Sequence, residues 1–133
     1  MLGELLGEER GQTTSIRVLP TETTPRLEIS FTAQGTLLGE DVTDMGTYIS
    51  AARPDGTMYG EGQGVMMTAK GEMASWKGQG VGRFTRPGAV AWRGAIYFET
   101  TSKKLAKLNG VAVVYEFESD EGGKTESKNW EWK

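Results

Sequence analysis

The sequence predicts an all-β fold: a single antiparallel β-barrel domain over residues 1–133, with about eight to ten strands and at most a short helical turn. Three observations predict it. Segments of alternating apolar and polar residues recur along the chain, the period expected of strands with one buried face. Turn signals separate them at regular spacing, in "ARPDGTMY", "AKGEM", "TRPGAV" and "DEGGKT". Glycine supplies 19 of the 133 residues, about twice its average share, and apolar residues make up 37%. At this length the chain holds one domain with a real core.

Taken in order, the N-terminal segment through Ile16 and Val18 supplies one or two strands. "RLEISFTAQG" then alternates Leu27, Ile29, Phe31, Ala33 and Gly35 against Glu28, Ser30, Thr32 and Gln34, a half-buried strand. Asp55-Gly56 reads as a two-residue hairpin turn, which puts Met45, Ile49, Ala51 and Arg53 on the face shared with the next strand's glycines and turns Tyr48 and Ser50 away. Two strands follow in which every second side chain is missing, at Gly60, Gly62 and Gly64 and again at Gly78, Gly80 and Gly82. A three-residue loop at Lys70, Gly71 and Glu72 sets the ladders opposite one another, Gly64 facing Gly78, Gly62 facing Gly80 and Gly60 facing Gly82. Met58, Met66, Trp76 and Phe84 border the patch.

After "RPGAV" a three-residue loop at 87–89 places Trp92, Gly94, Ile96 and Phe98 beside the glycines, whereas a two-residue loop at 87 and 88 places Arg93, Tyr97 and Glu99 there. The first keeps one face apolar and is preferred; the second would build a polar interior. In the last hairpin Val111, Val113, Tyr115 and Phe117 face Trp130 and Trp132 across Gly122-Gly123.

Six strand glycines each cost about 0.5 to 1 kcal/mol relative to alanine and need a reason. Either they let the barrel bend and let tryptophan rings lie flat against the wall, or they leave a cavity for a mainly apolar ligand. The second reading defines an expected ligand-binding set: Arg53, Gly60, Gly62, Gly64, Met66, Trp76, Gly78, Gly80, Gly82, Trp92, Tyr115 and Trp130. A phosphate site is excluded on spacing, since Val65 and Arg83 stand where a GxGxxG fingerprint needs its third glycine.

Composition excludes several chemistries. There is no cysteine, hence no disulfide and no thiolate, and no histidine, which removes catalytic triads, zinc hydrolase centres and His-ligated haem. No cofactor and no metal are expected. A net charge of −3 with interspersed signs offers no basic field for nucleic acid and no polybasic membrane patch. Without an apolar leader or an 18-residue apolar run, a soluble, cytoplasmic protein is the expectation.

"TTSKKLAKLNGVAVVYEF", with Lys104, Leu105, Ala106, Leu108, Asn109 and Gly110, resembles the loop and late strand of dirigent proteins, allene oxide cyclases and related uncharacterised bacterial and archaeal barrels. The "RPDGT" hairpin leading into Gly64 is similar to those bacterial domains, and the resemblance covers roughly residues 45 to 118. "TTSKK" stands where those families often carry a glycine pair. The resemblance implies a calycin-like barrel, assembled as a homo-oligomeric dimer or trimer, that binds a small hydrophobic molecule and acts, if at all, as a cyclase or isomerase by confining its substrate. Arg53 and Arg93 are then candidates for an anionic head group, Glu61, Tyr97 and Glu99 for acid–base work, and Asp41 and Asp44 for a barrel mouth. The competing reading is a non-catalytic structural or interaction barrel. In either case Leu105 and Leu108 suit a plug at one barrel end.

Overall fold

A computed structural model describes residues 1–21 and 23–133. Eight strands, β1 (Leu2–Val18), β2 (Arg26–Leu37), β3 (Glu40–Ala52), β4 (Met58–Thr68), β5 (Met73–Arg86), β6 (Ala89–Glu99), β7 (Ala112–Ser119) and β8 (Lys124–Trp132), follow one another around a closed antiparallel barrel. β8 pairs back onto β1, so no sheet edge runs the full height of the wall. Among the described residues the one helical element is a 3₁₀ turn at Ala106–Gly110. Among the described residues no helix is long and apolar enough to cross a membrane.

Pairing registers follow from the hairpin loops, and here the structure corrects the sequence. The β3–β4 loop has three residues, Pro54-Asp55-Gly56: the Arg53 amide donates to the Thr57 carbonyl at 2.8 Å and the Gly56 amide to the Arg53 carbonyl at 3.0 Å. Proline suits the first corner of a type I turn, and Gly56 at φ +89° takes the left-handed position after it. One extra loop residue inverts the strand, so Asp44, Gly46, Tyr48 and Ser50 face inward and Met45, Ile49 and Ala51 outward.

The β7–β8 loop repeats this. Glu121-Gly122-Gly123 bridges Asp120 and Lys124, Gly123 stands at φ +83°, and Asp120 Oδ1 accepts the amides of Gly122 and Lys124 at 2.9 and 2.8 Å. The expected inward tryptophans are therefore outside: Trp130 lies between Leu5 and Val114 and Trp132 between Leu2 and Ala112 on the outer wall, while Thr125, Ser127 and Asn129 point in.

The β4–β5 loop is centred one residue early, at Ala69-Lys70-Gly71, which slides the register by two and leaves the faces intact. The ladders are staggered: Gly60 faces Gly80 and Gly62 faces Gly78, but Gly64 faces Trp76 and Gly82 faces Met58. Between β5 and β6 the loop is the two-residue Pro87-Gly88, yet a bulge between Phe84 and Arg86 restores the parity. Trp92, Gly94, Ile96 and Phe98 face inward, as the apolar alternation required.

One end of the barrel is packed solid. Leu105, at the start of the 3₁₀ turn, and Leu108, within it, are buried to 1% and 0% exposure against a core that includes Leu6, Leu37, Phe98 and Val113. Asn109 pins this plug, accepting the Thr100 amide and donating to the Thr100 carbonyl, both at 2.9 Å. Burying each leucine contributes about 1.5 to 3 kcal/mol, enough to hold a connection with only one short turn of its own.

Candidate functional site

Above the plug the interior changes character. Glu9 on β1 and Asp44 on β3 are 5% and 4% exposed, and their carboxyls are hydrogen-bonded to each other across β2. β2 allows this because its inward residues there are small: Gly35 is opposite Glu9 and Ala33 is opposite Asp44. Trp76 Nε1 on β5 donates to Asp44 Oδ1 at 2.9 Å, and the Met45 amide also donates to that carboxylate.

These contacts divide the pair. Burial first, then the Asp44 charge and the hydrogen bond to it, push the Glu9 carboxyl up to about 10, so it keeps its proton at neutral pH. Burial also raises Asp44, but bonds from Glu9, Trp76 and the Met45 amide oppose the shift, and the negative charge resides there. The arrangement is one carboxylic acid, one carboxylate and one proton between them.

The pair borders a cavity of about 70 Å³, walled by Phe31, Tyr48, Trp76, Trp92, Tyr115 and Phe117. The rings interlock: Trp92 and Phe117 meet Tyr48 edge-on with centroids 5.6 and 6.0 Å away, and Phe31 stacks on Trp76 at 6.4 Å. Burial, with the neighbouring Tyr115 hydroxyl, raises Tyr48 far above the ordinary phenol range, and burial raises Tyr115 to about 12. Both are neutral O–H donors. Among the described residues no lysine or arginine lines the cavity, and no three potential metal ligands come together.

Of the expected binding set, Gly60, Gly62, Met66, Trp76, Gly78, Trp92 and Tyr115 line this cavity. Gly64, Gly80 and Gly82 are on the same inner face but covered, by the Trp76 indole, the Tyr115 hydroxyl and the Trp92 indole. Even Gly60 is close-packed, since a Cβ there would be 2.7 Å from the Trp92 ring. The ladders thus do both things proposed for them: they let aromatic rings lie on the wall, and they leave a small space. Two of the set are elsewhere. Arg53 is exposed at the hairpin loop with its guanidinium 5.0 Å above the Tyr59 ring, and Trp130 is on the outer wall.

The other candidates divide sharply. Arg93, Tyr97, Glu99, Glu61 and Asp41 all have exposed side chains, with Arg93 near Glu116 and Glu118 at 3.8 and 3.6 Å and Glu61 accepting the Tyr59 hydroxyl at 2.7 Å. Asp44 reaches the interior rather than a rim. Glu9 is the candidate site residue that sequence reasoning missed. A signal was present: Glu9 sits between Gly7 and Gly11, and alternate glycines mark the inner face in this chain.

No protein-family model matches the chain, and no curated protein does. Solved structures match over nearly its whole length. A protein with unknown function from Clostridium acetobutylicum ATCC 824 superposes with a TM-score of 0.84 at 15% identity, covering 96% of each chain. A β-barrel-like protein from Acinetobacter baumannii AYE gives 0.82 at 14%, covering 100% of this chain and 96% of that one. An enzyme from Penicillium herquei gives 0.67 at 17%, covering 96% and 92%. Likeness at these identities establishes the eight-stranded barrel and nothing finer; the link to allene oxide cyclases and dirigent proteins rests on the short motifs alone.

Proposed function

We propose that the barrel takes a small, mainly hydrophobic molecule into its interior and isomerises or cyclises it by acid–base catalysis. The observation that carries this reading is the Glu9–Asp44 pair, a shared proton buried beside an aromatic-walled cavity. Two carboxyls with separated proton affinities can act in one step as acid and base. Asp44 takes a proton from one substrate carbon and Glu9 gives its proton to another, after which the proton passes from Asp44 to Glu9 along their hydrogen bond and restores both groups, so the net change is an isomerisation with no proton gained or lost. The aromatic walls hold the substrate in the reacting conformation. A cavity of about 70 Å³ is roughly two waters' share, so a ring-sized guest must widen it on entry.

The small volume also favours the second reading, a filled barrel working as an interaction module. Leu2, Leu5 and Trp132 are exposed to 55, 46 and 54% on the outer wall at the β1–β8 seam, an apolar surface suited to a homo-oligomer contact. Native mass spectrometry with denaturing extraction separates the readings. Retention of one apolar molecule per barrel is expected; a barrel that stays empty, and that takes up no cyclic ketone at millimolar concentration, removes the catalytic proposal and leaves the oligomer.

A further inference from the structure

We infer that the cavity's ligand is an uncharged molecule whose carbonyl oxygen is held by the Tyr48 and Tyr115 hydroxyls, and that carboxylates are excluded; this rests on the binding reading above. The two tyrosines come from different walls, β3 and β7, and line the same cavity of about 70 Å³. Neither hydroxyl has a hydrogen bond to a protein acceptor among the described residues, and since no buried side-chain oxygen is left without a partner, both O–H groups open onto the cavity space. A guest that fills this apolar space must offer such O–H groups an acceptor or leave them without one, so two together favour a guest with an acceptor oxygen. Asn129, 4% exposed on β8, adds a neutral amide to the same lining.

Charge narrows the class further. Besides Glu9, which keeps its proton, the acidic residues lining the cavity are Asp44 and Glu61, and among the described residues no cation lines it. A ligand carboxylate about 6 Å from the Asp44 carboxylate, at an effective dielectric of about 20, is disfavoured by about a hundredfold. A carbonyl oxygen meets no such repulsion, and it satisfies two donors at once through its two lone pairs. The exposed Arg53 and Arg93 lie outside this space and cannot offset the carboxylate.

The test measures affinities of three molecules of one shape, cyclohexanone, methylcyclohexane and cyclohexanecarboxylate, by ligand-observed NMR at pH 7. The proteins are the wild type, Tyr48→Phe and Tyr115→Phe, each change removing only an unpartnered oxygen. Cyclohexanone is expected to bind the wild type and to lose about two- to tenfold in each variant, methylcyclohexane to be unaffected by either change, and the carboxylate to bind about a hundredfold more weakly than the ketone. Equal losses for ketone and hydrocarbon, or a carboxylate that binds as well as the ketone, overturn the inference and leave a binding barrel. If none of the three binds, the binding reading itself falls, and this inference with it.

Discussion

Replacing Gly46 by alanine tests whether the glycines exist to seat aromatic rings. Gly46 is on the inner face of β3, two residues from Asp44. A Cβ built there would be 2.7 Å from Phe31 Cε1 and 2.7 Å from Trp76 Cζ2. Ordinary carbon contacts begin near 3.5 Å, so each ring must retreat by about 0.8 Å. Neither has room, because Phe31 and Trp76 stack on each other and Trp76 is tethered to Asp44 by its 2.9 Å bond. Overpacking of this kind costs about 1 to 3 kcal/mol, and alanine's better strand entropy returns about 0.5 to 1. The net loss of about 1 to 2 kcal/mol corresponds to a Tm drop of about 4 to 8 °C for a domain of this size. Thermal unfolding followed by circular dichroism reads the loss, and the Trp76 indole N–H resonance reports whether its bond to Asp44 has moved. Gly110→Ala is the control, since nothing lies within 4 Å of the added methyl. A Gly46→Ala protein that melts with the wild type and keeps its indole resonance would refute the reasoning.

Two further outcomes are expected. Unfolded, Glu9 releases its proton near 4.5, but folded it retains it to about 10, so its contribution to stability is fully present below about pH 4.5 and drains away as pH rises toward 10. In Glu9→Gln this drain is absent, and the Tm advantage of the variant over the wild type should widen steadily from pH 5 to 9; a constant difference would show that Glu9 is not protonated in the folded state. Leu108→Ala, at a fully buried plug position, should cost about 2 to 5 kcal/mol in denaturant unfolding. A loss below about 1 kcal/mol would mean that the plug is not part of the core.

How much of this was legible in the sequence depends on which face carried the apolar residues. β2, β5 and β6 present apolar or glycine positions inward, and their faces follow from alternation even where the loop lengths differ. β3 is the reverse. Its inner face is Asp44, Gly46, Tyr48 and Ser50 and its outer face Met45, Ile49 and Ala51, so hydrophobic patterning pointed the wrong way on the strand that builds the site. β8 failed alike, with Ser127 and Asn129 inside and two tryptophans outside. The hairpin loops could have corrected both. Pro54 before Asp55-Gly56, and Asp120 capping Glu121-Gly122-Gly123, are marks of three-residue loops with a left-handed last residue, and each shifts the register by one. Pairing across β2, which joins Glu9 to Asp44, has no local trace.

The closure of the ring bears on when this site exists at all. Seven of the eight pairings join strands adjacent in the chain, and only β1 with β8 spans nearly its whole length. The loop entropy of closure therefore falls on one seam, and long-range pairings of that kind are the slow ones. Glu9 is on that seam, opposite Ser127. Hairpins β2 to β8 can form without it, but the proton held between Glu9 and Asp44 belongs to the finished circle, and a barrel that breathes at β1 gives it up to solvent first.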